Sequence, residues 1–286
     1  MVVIVKQKCN STGFNNRIYP DLDLTAPVYW NAQKLDDSSP TQRFDVTNEM
    51  KDLIRELMNA TAKPGFHGQG RDSHGIIFST FEPVKVFRIE DHRQWMEYVV
   101  RRNAVRANVG GSPAEIRPAV ATSGFRPPPG VQLDGECNEH LLFHGTIPAV
   151  VNAVCRGFDV RVARGGLFGG GCYFAENSSK SDEYVPQGAK QYMFLCRVVL
   201  GSPFVTPGVD IQQLTQLRRP PCREGHFDFD NAGQRIMPPC VHDRCDSLLA
   251  VTQATDPAAR LHAFREFVVY DHTQCYPEYL IEYERR

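Results

Sequence analysis

The strand-like segments of the C-terminal half constrain the fold of this chain more than any other feature of its sequence. Short apolar segments bounded by turn-forming residues, typical of buried strands, lie at 140–144, 192–200, 267–270 and 276–283. A shorter strand is expected through Tyr173, which follows a run of glycines. Because these segments do not alternate with helices in a βαβ rhythm, they predict an α+β fold with mostly antiparallel sheets. The last two segments are expected to pair as a hairpin.

The composition of the chain excludes several classes of protein. Its 286 residues are 42% hydrophobic and 23% charged, too apolar for a disordered chain and sufficient for one large or two small domains. The formal net charge of -1 gives no overall attraction to nucleic acid or to an anionic membrane. The sequence has no run of about 18 apolar residues, and its first residues lack the order typical of a signal peptide. We therefore expect an intracellular protein, nuclear or cytoplasmic or both, that needs neither a membrane nor nucleic acid.

The first 44 residues differ in composition from the rest of the chain. Residues 1–44 are rich in Asn, Asp, Ser and Pro without a sustained period, so we expect a poorly structured lead-in that 28–30 could anchor. The folded domain is predicted over 45–286. Its first elements, predicted from the spacing of apolar residues, are an amphipathic helix over 45–61, a strand over 81–89 and a second helix over 93–106.

Three motifs in the C-terminal half contain chemically active side chains. They are LFHGT at 142–146, GGGCYFAENSSKSDEY at 169–184 and CYPEYLIEY at 275–283. Taken singly, His144 and Tyr173 are more simply explained as core residues and Glu278 as an exposed strand residue. In this order and spacing, however, the motifs resemble the catalytic domain of poly(ADP-ribose) polymerases, most closely that of the tankyrase type. The resemblance covers roughly 45–286.

That resemblance implies an ADP-ribosyltransferase fold, with two packed, mostly antiparallel β-sheets flanked by helices. It also implies a glycosyltransferase reaction, in which ADP-ribose passes from the co-substrate NAD to protein acceptors, the chain itself among them, with release of nicotinamide. Departure of nicotinamide leaves an oxocarbenium-like centre on the ribose, so negative charge must lie beside it. A polymerase is the first expectation. The alternatives are a mono-ADP-ribosyltransferase and a catalytically silent module that binds NAD or ADP-ribose.

The resemblance further implies how individual residues bind NAD. The side chain of His144 would hydrogen-bond a ribose hydroxyl. The backbone of Gly145, where a side chain would obstruct the approach, and the Ser181 hydroxyl would hold the carboxamide. The rings of Tyr173 and Tyr184 would stack on the two faces of the nicotinamide, strengthened by its positive charge.

Glu278 would complete the catalytic set that His144 and Tyr173 begin. The family's active polymerases carry a glutamate at the matching place, where several mono-transferring relatives have an apolar residue. Such a carboxylate would hold the ribose 2'-hydroxyl and help to activate the acceptor. Three weaker candidates each have a bland alternative: Lys180 as a substrate contact or a solvated lysine, Thr146 near the adenosine ribose or as a helix N-cap, and Arg161 on the pyrophosphate or on the free surface.

The cysteines raise the question of zinc. Tankyrases carry a small site of Cys and His soon after the SKS segment, but here 185–193 contains neither residue, so that site is missing. The nine cysteines are scattered singly, which favours reduced thiols. One region holds enough ligands for tetrahedral zinc, but its spacing matches no common finger, so we expect ordinary loop residues and no metal. Its members are Cys222, His226, Cys240, His242 and Cys245.

Overall fold

The computed structural model describes residues 24–31, 40–63, 65, 78–162, 165–188 and 190–286. Much of the predicted lead-in, 1–23 and 32–39, lies outside the described residues. The strands of the described part are β1 (Gln42–Asp45), β2 (Phe81–Glu90), β3 (Glu139–Thr146), β4 (Cys172–Phe174), β5 (Gln191–Val199), β6 (Pro203–Thr206), β7 (Ser247–Ala250), β8 (Glu266–Val269) and β9 (Cys275–Arg285). Its α-helices are α1 (Thr47–Thr61), α2 (His92–Asn108), α3 (Val151–Cys155), α4 (Ser178–Asp182) and α5 (Ile211–Leu214).

The strands form two sheets. A 5-stranded sheet has the order β1-β2-β9-β5-β3, and a 4-stranded sheet has the order β4-β8-β7-β6. Every neighbouring pair is antiparallel except β6 with β7. The two sheets also meet at one edge, where the backbones of Phe143 and Ala175 exchange hydrogen bonds of 2.7 and 2.9 Å. The predicted α+β fold with mostly antiparallel sheets is confirmed.

A shared hydrophobic core packs the two sheets against each other. The 5-stranded sheet contributes alternate residues of β3, β5 and β9, such as Leu142, Phe194 and Leu280. The 4-stranded sheet contributes Phe174 and Phe267 from β4 and β8. Because side chains alternate across a strand, only one face of each strand enters this core. The opposite face of the 5-stranded sheet packs against helices.

Helices α1 and α2 cover the other face of the 5-stranded sheet. The predicted amphipathic helix is α1, and Ile54 and Met58, both fully buried, pack there near Ile281. Burial of each such side chain contributes about 1.5–3 kcal/mol. Helix α2 begins after Asp91, whose side chain accepts a hydrogen bond of 3.0 Å from the backbone N–H of Gln94. This is an N-cap that satisfies one otherwise unpaired donor.

The folded body extends further towards the N-terminus than the predicted boundary at residue 45. Strand β1 begins at Gln42 and pairs with β2. Upstream, Trp30 is buried, with its ring stacked 5.9 Å from that of Tyr276 on β9. Within the predicted anchor, Trp30 and Tyr29 contact the body, whereas Val28 is exposed. The described part of the lead-in is therefore packed against the main sheet.

The predicted C-terminal hairpin is wrong. Strand β8 pairs with β4 and β7 in the smaller sheet, whereas β9 pairs with β2 and β5 in the larger one. Both edges of each strand are therefore occupied by other partners. A 3-10 turn at His272–Gln274 carries the chain from one sheet to the other. Two apolar strands with a short connection predict a hairpin locally, but long-range pairing decides otherwise.

Candidate active site

The site begins where β3 meets β4. The Nδ1 atom of His144 lies 2.8 Å from the backbone carbonyl oxygen of Tyr173. Since a carbonyl can only accept, Nδ1 carries the proton and Nε2 is left as an acceptor. The rings of Phe158 and Phe174 pack around the imidazole, at centroid distances of 5.0 and 5.7 Å. Burial lowers the pKa of His144, and the hydrogen bond to Tyr173 raises it by a smaller amount. The net decrease favours the neutral imidazole.

The ring of Tyr173 is held by its own hydroxyl group. This hydroxyl donates to the carbonyl oxygen of Gly169 at 2.8 Å and accepts from the N–H of Phe168 at 2.9 Å. A Cβ atom at Gly166 would lie 2.6 Å from the same oxygen. Glycine is therefore needed at Gly166 for a close approach of the loop to the tyrosine. The glycine-rich loop fixes the position of the aromatic ring.

Gly145 and Ser181 lie in direct contact. A Cβ atom at Gly145 would meet the backbone carbonyl oxygen of Ser181 at 1.8 Å, so only glycine fits there. Helix α4, which contains Ser181, is anchored to the end of α1. Asn177 donates from Nδ2 to the Thr61 carbonyl at 2.8 Å, and Ser178 Oγ donates to the Met58 carbonyl at 2.5 Å. The two residues expected to share the carboxamide are thus neighbours.

Lys180, within α4, and Tyr184, just after its end, extend the site. The Tyr184 side chain remains 47% exposed, a large fraction for an aromatic residue. The ammonium of Lys180 lies 5.2 Å from the centroid of the Tyr184 ring. Its Nζ also lies 2.8 Å from Glu183 and 3.1 Å from Glu266. Burial lowers the pKa of Lys180, but the charges of Glu266 and its neighbours outweigh burial and raise it overall. Lys180 is therefore a paired cation rather than a solvated lysine.

The structure does not bring Glu278 to this site. One carboxylate oxygen accepts from the hydroxyl of Tyr29 at 2.9 Å, and the other accepts from Arg197 Nε at 2.8 Å. The side chains of Glu278 and Arg197 are buried. His144 is aligned with Phe194 on β5, and Arg197, three residues later, lies on the opposite face of the sheet.

A β-bulge explains this orientation. The pairing of β5 with β9 shifts between Leu195 and Cys196, which face Tyr279 and Pro277. Glu278 is therefore the extra residue of the bulge. A bulge re-aims side chains, and here it leaves Glu278 bonded on the face opposite His144. The expectation that Glu278 joins His144 and Tyr173 is corrected on this geometry.

A different glutamate lies beside Tyr173. Val268 on β8 is aligned with Tyr173 on β4, and Glu266 is two residues before Val268. Side chains two apart share a face of a strand, so Glu266 lies on the same face as Tyr173. Its charge is one of the contributions that raise the pKa of Tyr173, after the larger effect of burial. In the sequence, the signal that could have identified Glu266 was a glutamate at the start of a buried strand, immediately before Phe267.

Two weaker candidates occupy different surroundings. Thr146 is buried at the end of β3, and Ile147 is the N-cap of the following 3-10 turn, so Thr146 is not a helix cap. Arg161 is exposed and pairs with Asp159 through Nε and a terminal nitrogen, at 2.8 and 2.7 Å. Arg161 lines a cavity of about 210 Å³ together with Phe158, whose ring also contacts His144. The cavity therefore adjoins the site.

Three further observations concern the described residues as a whole. No helix among them combines the length and the apolar character that a membrane span requires. Eight cysteines are described and all are free thiols. Four of the five Cys and His residues weighed as zinc ligands converge at one point, Cys245 being the exception.

Comparisons with known proteins give a consistent result. The family model described as "Poly(ADP-ribose) polymerase catalytic domain" matches residues 71–285. The mouse protein mono-ADP-ribosyltransferase PARP12 is 34% identical over 152 residues, which are 52% of this chain and 17% of that protein. Mouse PARP11, also named a protein mono-ADP-ribosyltransferase, is 27% identical over 52% of this chain and 43% of its own length. A probable poly [ADP-ribose] polymerase of Dictyostelium discoideum is 41% identical over 43% of this chain and 33% of its own length.

These matches confirm the resemblance to poly(ADP-ribose) polymerases that the three motifs predict, although none of these three relatives is a tankyrase. The matched region spans less than half the length of each of them.

Proposed function

The chain belongs to the poly(ADP-ribose) polymerase catalytic-domain family, and we propose that it is an NAD-dependent transferase that passes ADP-ribose to protein acceptors and releases nicotinamide. The observation that carries this proposal is the continuous set of contacts around Tyr173. His144 bonds its carbonyl, Glu266 shares its face of the sheet, and Lys180 joins Glu266 to Tyr184. The set combines an acceptor nitrogen, a carboxylate and two aromatic rings, as the cleavage of NAD requires.

The nicotinamide end of NAD is assigned to the space between Tyr173 and Tyr184. The hydroxyl bonds of Tyr173 hold its ring in place before the ligand arrives, which lowers the cost of ordering on binding. Tyr184 is exposed enough to take up a ligand on its face. The contact between Gly145 and α4 places the backbone of Gly145 near the residue Ser181. A backbone with donor and acceptor groups and a serine hydroxyl together suit a carboxamide, which has a donor NH₂ and an acceptor oxygen.

We assign to Glu266 the role of the carboxylate beside the ribose, which the resemblance had given to Glu278. Cleavage of the glycosidic bond to nicotinamide builds positive charge on the ribose, and a fixed carboxylate stabilises that charge more than it stabilises the ground state. Glu266 can also accept the proton of an attacking hydroxyl. Lys180 orients this carboxylate. Because Lys180 also pairs with Glu183, its single positive charge is shared between two carboxylates, and Glu266 keeps part of its negative charge. Glu278, with both oxygens engaged, is assigned to structure.

His144 is assigned to a ribose hydroxyl through Nε2, which has no hydrogen-bond partner among the described residues. Its Nδ1 bond to the Tyr173 carbonyl fixes both ring orientation and tautomer. Arg161 is assigned to the pyrophosphate, because its cavity adjoins His144 through Phe158. The guanidinium would share its charge with Asp159, which it already holds at two atoms. Thr146, at the end of β3 beyond His144, stays a candidate for the adenosine ribose.

The length of the product distinguishes two forms of the proposal, transfer of a single ADP-ribose and synthesis of a chain. The names of PARP12 and PARP11 describe single transfer and support the mono-ADP-ribosyltransferase alternative. The presence of Glu266 at the site supports chain elongation instead, because the family's active polymerases carry a glutamate where several mono-transferring relatives have an apolar residue. Acceptors are proposed to be proteins, this chain included, without a requirement for nucleic acid. The free, mostly buried thiols support a reducing compartment, the cytoplasm or the nucleus.

The purified chain with labelled NAD tests the proposal. Denaturing gels and intact-mass measurements would show a ladder for a polymerase and one added ADP-ribose for a mono-transferase. Glu266→Gln is expected to lose the label. The matched control is Glu284→Gln, since Glu284 carries the same group on an exposed part of β9. If NAD binds but neither chain nor added protein is labelled, the chain is a silent binding module and the transferase proposal fails.

A further inference from the structure

Four potential metal ligands converge in the segment between α5 and β7. The thiol of Cys222 lies 3.4 Å from Nδ1 of His226, and the thiol of Cys240 lies 3.6 Å from the same nitrogen. Cys240 also lies 3.3 Å from Nδ1 of His242. All four ligand atoms lie within 4.8 Å of one another. They come from two stretches, 222–226 and 240–242, that are separated in sequence and meet in space.

The spacing of these atoms matches the edges of a zinc tetrahedron. With Zn–S near 2.3 Å and Zn–N near 2.05 Å, tetrahedral angles place sulfur and nitrogen about 3.6 Å apart. The three sulfur–nitrogen distances of this cluster, 3.3, 3.4 and 3.6 Å, are close to that value. Two thiolates and two neutral imidazoles are a set that tetrahedral zinc prefers. Their charge also balances that of one Zn²⁺ ion.

No hydrophobic core holds the part of this segment that carries Cys240, because residues 231–239 are all exposed. Residues 215–246 contain no helix or strand, only isolated bridges such as that of Cys222 with Arg244. Irregular segments of this length are uncommon inside a compact domain. Met237 is 68% exposed and Val241 92% exposed, so apolar burial does not fix the turn that carries Cys240. A metal ion that joins the two stretches supplies the missing cross-link.

The four ligands differ in how firmly the chain holds them. The backbone N–H of His226 lies 3.2 Å from the sulfur of Cys222 and donates to it. Cys222 is also the buried member of the set, whereas His226 and His242 are exposed. The cluster is thus anchored at Cys222 and open to solvent on the histidine side, which provides a path of entry for the ion.

We propose that Cys222, His226, Cys240 and His242 bind one structural Zn²⁺ ion. On binding, the two thiols lose their protons to solvent, and zinc takes the place of both. This position differs from the tankyrase site, which lies soon after the SKS segment. The proposal replaces the expectation that the chain holds no metal. The spacing of the ligands matches no common finger, because the segment places its partners by a return of the chain rather than by a local motif.

The segment that carries this site also contacts the candidate active site through Leu217. Leu217, five residues before Cys222, packs in the same cluster as Phe168 and Val268. Its carbonyl accepts a hydrogen bond of 2.9 Å from the N–H of Gly170, and a Cβ atom at Gly169 would meet it at 2.3 Å. This is the glycine-rich loop that fixes Tyr173. Zinc that orders the segment after Leu217 would therefore help to hold the glycine-rich loop in position.

The test measures metal in the full chain, produced with zinc in the medium and dialysed without chelator. We expect about one zinc per chain by elemental analysis, and after exchange to Co²⁺ a visible spectrum typical of tetrahedral thiolate ligation. His242→Ala and Cys240→Ser, which alter the more exposed members, should each retain less than about half an equivalent. His262→Ala and Cys245→Ser are the matched controls and should keep the full content.

A strong chelator should lower the Tm of the wild type but not that of Cys240→Ser, which keeps the proposal testable even if a variant is poorly folded. Absence of bound zinc in the wild type at saturating zinc would overturn the proposal. So would peptide mapping that shows a disulfide between Cys222 and Cys240 in the chain kept under reducing conditions. Equal loss of zinc in Cys245→Ser and Cys240→Ser would show that the assigned ligand set is wrong.

Discussion

Replacing each of two glutamates by glutamine separates the carboxylate that we propose acts in transfer from the one that we assign to structure. Glu266 lies beside Tyr173 and contacts Lys180, whereas Glu278 is bonded to Arg197 and Tyr29 behind the main sheet. The change from Glu to Gln preserves size and one acceptor oxygen and removes the negative charge. We expect Glu266→Gln to lose ADP-ribose transfer and remain folded. We expect Glu278→Gln to lose stability and retain transfer.

The expected loss of stability follows from the environment of Arg197. Removal of one partner from a buried ion pair costs about 3–5 kcal/mol. Arg197 would keep Glu139 at 2.9 Å and the carbonyl of Gln132 at 2.8 Å, which places Glu278→Gln near the lower end, about 3 kcal/mol. For a domain of this size the Tm would fall by about 6–12 °C.

The expected effect of Glu266→Gln is opposite in kind. Lys180 keeps Glu183 at 2.8 Å, so the unfolding free energy should fall by less than about 1.5 kcal/mol. Transfer should fall by about 10²–10⁴-fold, the usual contribution of a positioned acid or base. Binding of NAD should change much less, because the carboxylate acts chiefly on charge that develops during cleavage.

Three measurements check this prediction: urea unfolding, initial rates of label incorporation from NAD well below the lowest Tm, and calorimetric titration with NAD. The reasoning would be refuted if a folded Glu278→Gln variant lost transfer while Glu266→Gln transferred at the wild-type rate. It would also be refuted if Glu278→Gln unfolded at the same urea concentration as the wild type.

The remaining predictions concern single positions. Gly145→Ala should weaken binding of a nicotinamide mimic by at least about 10-fold and lower the Tm, because its Cβ would meet the Ser181 carbonyl at 1.8 Å; unchanged calorimetric titrations would contradict the assigned contact. Tyr184→Ala should weaken the same binding by about 10-fold through loss of one aromatic stack, with little change in Tm, since the ring is 47% exposed. Burial lowers the pKa of His140 from 6.5 to about 4, so the folded chain binds fewer protons than the unfolded chain as the pH falls below 6.5. The wild type should therefore lose about 2 kcal/mol more than His140→Asn between pH 7 and pH 5 in urea unfolding, and parallel pH profiles would exclude this titration.

Local structure was accessible from the sequence because it depends on near neighbours. The spacing of apolar residues predicts a helix over 45–61, and α1 is Thr47–Thr61. The apolar run that predicts a strand over 192–200 gives β5, Gln191–Val199. Periodic burial reports the face that an element turns to the core, which is a property of the element itself. The family was accessible for a similar reason, since its motifs are contiguous in sequence.

The choice between the two glutamates was not accessible in the same way. Glu266 and Glu278 both stand in strands of apolar residues, in FVVY and YLIEY contexts, and nothing local shows that a bulge in β9 turns Glu278 to the wrong face. The same is true of the hairpin that did not form, because the two strands belong to different sheets. The face of a strand at a given residue depends on its partners, which lie far away in sequence.

The ligands proposed for zinc show the same division. The sequence by itself determined that Cys and His are concentrated over 222–245, and the absence of a known spacing favoured ordinary loop residues. Only the tertiary structure decided that four of them meet and that Cys245 does not. Composition and periodicity are carried by each segment alone, whereas strand partners, bulges and the meeting of distant loops are set by packing of the whole chain.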